Sequence, residues 1–269
     1  LDDVNDYEQI RPYLPHGSRF KVLMTTRLQR LGADVTPLTL NLLVPDAAYG
    51  LLAALIGSER FLSEAETGQT LCAWLGYLPL GIELIGTYLQ QHQTLALSHF
   101  YQQLQAKQSE YHRARRLPPA IDAQLPMAVV FENTWHDLSK DAQRLLCMLS
   151  CFALGPIPWS AVENCLDTLS PNELIMLRES ELISLSLLRP SGADLYQLHP
   201  VIAQLVGIQR DQTHWADGLK QAFCREMVRT AQTIPQTPVR TQILELPPLI
   251  PHLKESATTW QSWLTDEHL

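Results

Sequence analysis

Apolar residues recur at helical spacing over most of this chain, but its start reads differently. There, Leu1 is followed by Asp2-Asp3. A second apolar run, Phe20 to Met24, stops abruptly at Thr25-Thr26-Arg27. Asp6 to Leu14 between them reads as a short helix, and Pro15-His16-Gly17-Ser18 as a turn. The pattern predicts two buried neighbouring strands with polar residues at their C-terminal ends, where ligands bind in open α/β sheets.

Beyond a weakly alternating stretch, Leu38 to Leu43, the pattern turns helical. Pro45-Asp46 opens a helix with Leu51, Leu52, Leu55 and Ile56 on one face and Gly57 as its stop. A second helix is expected from about Ser63 to Leu75, with Leu71, Trp74 and Leu75 facing inward. In Gly76-Tyr77-Leu78-Pro79-Leu80 the glycine ends that helix and Pro79 opens the next, which runs to Leu89. Leu97 to Lys107 is one more amphipathic helix, and His112 to Pro119 is a basic, proline-rich linker. Such a charge cluster is either simply solvated or a contact for phosphate or domain closure.

From Met127 the helical face is Ala128, Val129, Phe131 and Trp135. Ser139 then caps a helix burying Leu145, Leu146, Met148, Leu149 and Phe152. Gly155 to Trp159 turns into a short helix ending at Leu166, and Ser170-Pro171-Asn172-Glu173 caps another. Strands are predicted at Ile183 to Leu188 and Leu195 to Leu198, joined by a loop over Pro190 to Asp194. Helices followed by a hairpin is a winged-helix order. Thr213 to Thr233 is helical, with Trp215, Leu219, Phe223 and Met227 on one face. A loop over Gln232 to Thr241 follows, and a further helical unit begins near Leu246.

With 269 residues there is room for two or three small domains, and 46% hydrophobic against 18% charged residues excludes a disordered tail. A net charge of −8 disfavours a general nucleic-acid surface. The five cysteines are odd in number and lack metal-ligand spacing with histidines. Cys147 and Cys151, four apart on an apolar helix, read as core thiols of a reducing compartment. No signal peptide and no run of about 18 apolar residues is found, so a cytoplasmic protein without membrane attachment is expected. The chain starts without Met at what reads as a strand end, and is therefore taken as part of a longer protein.

An acid after a buried strand can hold Mg²⁺ directly or through water, its neighbour can orient water, and an Arg at the next strand end can sense a terminal phosphate. This arrangement resembles the Walker B and sensor-1 segments of the NB-ARC family of STAND signal-transduction NTPases. Gly76-Tyr77-Leu78-Pro79-Leu80 resembles that family's Gly-x-x-Pro-Leu motif. Leu198-His199-Pro200 stands where the family carries Met-His-Asp, with the His kept and the acid replaced. The resemblance spans about residues 1 to 207. It implies a mainly α fold with a small α/β remnant, divided into the C-terminal part of a P-loop nucleotide-binding domain (1–36), a helical domain (37–110), a linker (111–125), a winged helix (126–207) and a helical linker with the start of tetratricopeptide-like helical repeats (208–269).

It also implies roles. Asp2 would bind Mg²⁺ through its water shell, and Asp3 would position the hydrolytic water. Arg27 would sense the γ-phosphate, Pro79 would pack on the nucleoside and His199 would reach the β-phosphate. The intact protein would bind ADP or ATP with Mg²⁺, self-associate when ATP is bound and engage protein partners through its repeats. No Gly-x-x-x-x-Gly-Lys-Ser/Thr loop occurs in the 269 residues, so tight nucleotide binding and ATP hydrolysis are not expected of this chain alone.

Two other classes are open to the same pattern. One is a winged-helix DNA-binding regulator, which the charge disfavours. From Pro158 to Leu188 the acids Glu163, Asp167, Glu173, Glu179 and Glu181 face one base, Arg178, and would repel phosphates. The other is an interaction scaffold without a working switch, which the missing acid at Pro200 would allow.

Overall fold

The computed structural model describes residues 1, 4, 6–15, 20–26, 28, 35–38, 40–114, 125–235 and 246–264. They form two compact units, 1–41 and 42–269.

In the first unit, helix α1 (Tyr7–Ile10) is capped by Asp6, whose carboxylate accepts from the Gln9 N–H, and a 3₁₀ turn, Arg11–Tyr13, continues it. The segments flanking this helix lie side by side in a parallel hydrogen-bond pattern. The Leu1 amino group donates to the Leu23 carbonyl (3.0 Å), the Thr25 N–H to Leu1 (3.0 Å) and the Val4 N–H to Thr25 (2.8 Å). Pairing of the two expected strand ends is thus present, but the pattern is too short to count as a sheet. Burial also differs from expectation: Val4 and Tyr7 are buried, whereas Phe20 and Leu23 are 67% and 80% exposed. The apolar run has no covering layer among the described residues.

The second unit is mainly helical, with one small sheet. Helices α2 (Pro45–Ile56), α3 (Ser58–Ser63), α4 (Ala65–Trp74), α5 (Pro79–Gln91) and α6 (Leu97–Ala114) come first. Helix α5 approaches α2 closely because Gly86 has no side chain: a Cβ there would lie 2.8 Å from the Leu55 Cβ. The sequence pattern missed α3, which is held by a distant contact. The Arg60 guanidinium donates to the carbonyls of Leu89 (2.5 Å), His92 (3.1 Å) and Leu95 (2.6 Å), closing the C-terminal end of α5. Glu64 caps α6 from outside, accepting from the Leu97 and Ser98 N–H groups (2.8 and 2.9 Å). Helix α6 runs to Ala114, further than the expected Lys107.

Next come α7 (Leu125–Asp137), α8 (Lys140–Leu149), α9 (Trp159–Cys165) and α10 (Pro171–Leu177). Ser139 caps α8 through the Ala142 N–H, and Ser170 with Glu173 forms a reciprocal capping box on α10. A π-helical turn, Arg178–Ile183, leads to the sheet. Its strands β1 (Ile157–Pro158), β2 (Leu188–Gly192) and β3 (Leu195–Leu198) are antiparallel in the order β1-β3-β2. Sequence alternation placed the first hairpin strand at 183–188, but the strand begins at Leu188. The preceding apolar residues Leu182, Leu185 and Leu187 are buried from a helical turn and a left-handed Ser186 (φ 58°) instead. Pro190 is tolerated because β2 is an edge strand with a bulge between Pro190 and Gly192.

Helices α11 (Pro200–Asp211), α12 (Ala216–Thr233) and α13 (Ile250–Thr258) follow, and a 3₁₀ turn, Gln261–Trp263, ends the described elements. Helix α13 docks on the turn after α8. The fully buried His252 donates its Nε2–H to the Pro156 carbonyl (2.9 Å), and its ring meets Phe152 edge-on. Beyond α13, the Trp260 indole N–H donates to the Cys151 carbonyl (2.9 Å), and the cations of Arg210 and Lys220 lie over its ring. One hydrophobic core runs continuously through the unit from Ala48 to Met227. No helix among the described residues is long and apolar enough to cross a membrane.

Candidate functional site

The corner carrying Pro79 is built by local backbone chemistry. At the end of α4 the Gly76 N–H donates to Ala73 (2.9 Å) and the Tyr77 N–H to Cys72 (3.0 Å), the paired bonds of a Schellman ending. Gly76 and Tyr77 are both left-handed (φ 61° and 57°). Glycine takes this conformation freely, but for Tyr77 it costs about 1–2 kcal/mol. Offsetting contacts hold Tyr77: its carbonyl accepts from the Leu43 N–H (3.3 Å), and its ring lies 6.5 Å from that of Tyr49. The chain then straightens at Leu78, and Pro79 takes the first position of α5, where its missing N–H leaves nothing unsatisfied. Pro79 is exposed, so the corner presents a fixed apolar edge to solvent.

His199 sits between β3 and α11 and caps the helix. Its Nδ1 accepts from the Val201 N–H (3.2 Å), and Pro200 opens the first turn. Because Nδ1 is the acceptor, the neutral ring carries its proton on Nε2. Burial pushes the His199 pKa below its ordinary value, the Arg189 guanidinium lowers it further and Glu83 partly opposes both. The ring is therefore neutral at pH 7, a single-hydrogen-bond donor rather than a cation.

The two sequence-derived residues are joined through α5. Glu83 lies one turn beyond Pro79, a rise of about 6 Å along the helix, and its carboxylate pairs with the Arg189 guanidinium on β2. Thr87, one turn further on, meets Ser186 just before β2 (3.3 Å between hydroxyl oxygens). Asp2, Asp3 and Arg27 lie outside the described residues. Of their neighbours in sequence, the Thr26 hydroxyl donates to the Val4 carbonyl (2.5 Å) and accepts from the Leu28 N–H (3.0 Å).

Glu83 and Arg189 were not singled out from the sequence. The available signal was their isolation: each is the one charged residue in its element, Pro-Leu-Gly-Ile-Glu-Leu-Ile-Gly-Thr-Tyr-Leu-Gln-Gln and Leu-Arg-Pro-Ser-Gly. The cysteines offer no nucleophile. All five are free and buried, and burial pushes the thiols of Cys72, Cys151 and Cys224 up to about 11 and that of Cys147 to about 12. No group of three or more His, Cys, Asp or Glu residues that could hold a metal occurs among the described residues.

No family model matches the chain. It is similar to the regulatory protein AfsR of Streptomyces griseus, 29% identical over 203 residues, covering 75% of this chain and 20% of the relative. AfsR of Streptomyces coelicolor is 28% identical over 204 residues with the same coverage. A probable disease resistance RPP8-like protein 2 of Arabidopsis thaliana is 27% identical over 106 residues, 35% of this chain and 12% of the relative. The chain spans about a fifth of the length of the AfsR proteins it matches. These similarities, at modest identity, are to two regulatory proteins and a disease resistance protein, and support a relationship to signalling regulators of the STAND kind.

Proposed function

We propose that this chain is part of a nucleotide-controlled signalling switch of the NB-ARC type, in which residues 37–110 form the helical domain and 126–207 the winged helix. In this reading Pro79 packs on the nucleoside and the His199 Nε2–H donates to the β-phosphate. Asp2, Asp3 and Arg27 supply the Mg²⁺, water and γ-phosphate contacts. ADP holds the arrangement closed. ATP favours an open form that self-associates and acts on protein partners through helical repeats beginning within 208–269. A nucleotide shifts such an equilibrium only by binding the two forms with different affinity, so its contacts must reach both moving parts.

The observation that carries this reading is the connection through α5. One helix begins at the exposed Pro79 edge and, one turn later, binds the strand beside the His199 junction. In this reading, two contacts for one nucleotide depend on a single helix. The replacement of the family's acid by Pro200 leaves His199 as the polar group of that motif able to meet phosphate.

The test is nucleotide content. The intact protein, purified without added nucleotide, should carry ADP that chromatography detects after denaturation, and exchange for ATP should raise its mass in light scattering. An ADP-free protein that also fails to bind added ADP would favour the scaffold reading. The expected setting is the cytoplasm, with no membrane and no DNA partner.

A further inference from the structure

The contacts between α5 and the hairpin form a compact set. Glu83 and Thr87 are one turn apart on the same face of α5, and each finds a partner at the start of the hairpin. Glu83 pairs with Arg189. Thr87 is buried, at 6% exposure, and its hydroxyl hydrogen is committed to the Glu83 carbonyl (2.7 Å). Its oxygen therefore accepts from the Ser186 hydroxyl, which must be the donor across the 3.3 Å contact. Ser186 is one of three non-glycine residues with positive φ among those described (58°). A strained backbone is retained where surrounding contacts hold it in place. Here it directs a hydroxyl to α5 immediately before the strand that carries Arg189. Leu188, which adjoins Arg189, lies opposite Leu198 in the sheet, and Leu198 precedes His199.

We propose that Glu83 and Arg189, seconded by Thr87 and Ser186, are a clasp that positions His199 for the bound nucleotide and whose opening releases the hairpin from α5. The proposal rests on the nucleotide-switch reading above, but the clasp itself is a contact between two elements of this chain and has a signature without nucleotide. Opening the clasp frees β2. The displacement passes through the Leu188–Leu198 pairing to the His199 cap and withdraws the Nε2–H donor. Arg189 and Glu83 also set the ring's surroundings with opposite sign, so breaking either side of the pair leaves a different mark on His199.

The experiment uses the intact protein as Glu83→Arg, Arg189→Glu and the charge-swapped double variant. Three measurements are made: hydrogen exchange of residues 195–206 without nucleotide, release of fluorescent ADP, and the imidazole NMR titration of His199. Each single reversal should raise exchange and ADP release by about fivefold, the upper range for a half-exposed ion pair. The double variant should return both to within about twofold of wild type. His199 should titrate higher in Arg189→Glu and lower in Glu83→Arg, a divergence that general loosening of the fold would not produce. Thr87→Val, which keeps the side-chain volume, should move exchange in the same direction. Unchanged exchange in both single variants, or a double variant as exposed as the singles, would overturn the clasp. If the wild type binds no nucleotide yet the exchange cycle closes as expected, the switch reading fails and the clasp stands as a domain contact. Exchange and titration behaving as expected with ADP release unaffected would reject its positioning of His199.

Discussion

Replacement of His199 separates two roles on opposite sides of one ring: the helix cap seen at Nδ1 and the phosphate contact proposed for Nε2. His199→Ala removes both the Nδ1 acceptor for Val201 and the Nε2–H donor. The cap bond, 3.2 Å long and half-buried, contributes about 0.5–1 kcal/mol, and its loss should lower the melting temperature by about 1–4 °C for a unit of this size. A donor to a charged phosphate oxygen contributes about 1.5–3 kcal/mol, so its loss should speed ADP release by roughly ten- to a hundredfold. His199→Asn divides the two effects. Its Oδ1 can still accept from the Val201 N–H, but its shorter side chain falls short of the Nε2 position. The Asn variant should therefore melt like wild type and lose ADP like the Ala variant. The assays are thermal melting of nucleotide-free protein and stopped-flow release of fluorescent ADP. Equal ADP release from wild type and His199→Asn would reject the phosphate contact. An unchanged melting temperature in His199→Ala would reject the cap. The pH dependence follows from the same ring. Its folded pKa lies below the ordinary 6.5, so the neutral form's contribution is complete above pH 6.5. It is lost as pH falls from there through the folded value, when a proton on Nδ1 faces the Val201 N–H.

Three further outcomes are expected. Glu64→Gln should destabilise the protein by about 1 kcal/mol, because the carboxylate caps α6 through two N–H groups. Burial alone would raise the Glu64 pKa, but the bonds to Ser98 and Leu97 outweigh it and leave it below the ordinary 4.5. This support should thus be present above pH 4.5, fade as pH falls through the folded value, and be followed by amide exchange at Leu97 and Ser98. Gly86→Ala should cost about 1–3 kcal/mol in chemical denaturation, since the added methyl meets Leu55 at its Cβ as well as its methyl carbon; a neutral effect would mean α2 and α5 part easily. Residues 126–207 should give no sequence-dependent mobility shift with duplex DNA even at low salt, where screening is weakest, given the five acids and one base between Pro158 and Leu188.

What the sequence discloses here is what local chemistry decides. Gly76 and Pro79 mark the corner because one adopts positive φ and the other lacks an N–H, and both properties act within a few residues. The Ser139 cap and the Ser170–Glu173 box are legible for the same reason. Alternation from Ile183 to Leu187 misled, because the π-helical turn runs to Ile183 and a left-handed Ser186 follows, so Leu185 and Leu187 are buried without being in a strand. The true edge strand, Leu188–Gly192, contains a proline and a glycine that argue against a strand. Two-residue β1 exists only through its pairing with β3. At the site, Pro79 and His199 could be found from their motifs. The Glu83–Arg189 pairing could not: isolation among uncharged neighbours marks each residue singly, but nothing local links residues 106 positions apart.

The docking of α13 bears on how motion would travel through the molecule. His252 inserted under the Pro156 carbonyl, and the Trp260 indole fixed to Cys151 beneath two cations, fasten the last helix to the turn after α8. A fully buried ring with a directional bond cannot slide by fractions of a turn; it is seated or it is out. The contact between α13 and the turn after α8 is therefore made or broken as a whole. With both of its ends tied to residues 151–156, α13 has to turn with that segment or leave it altogether.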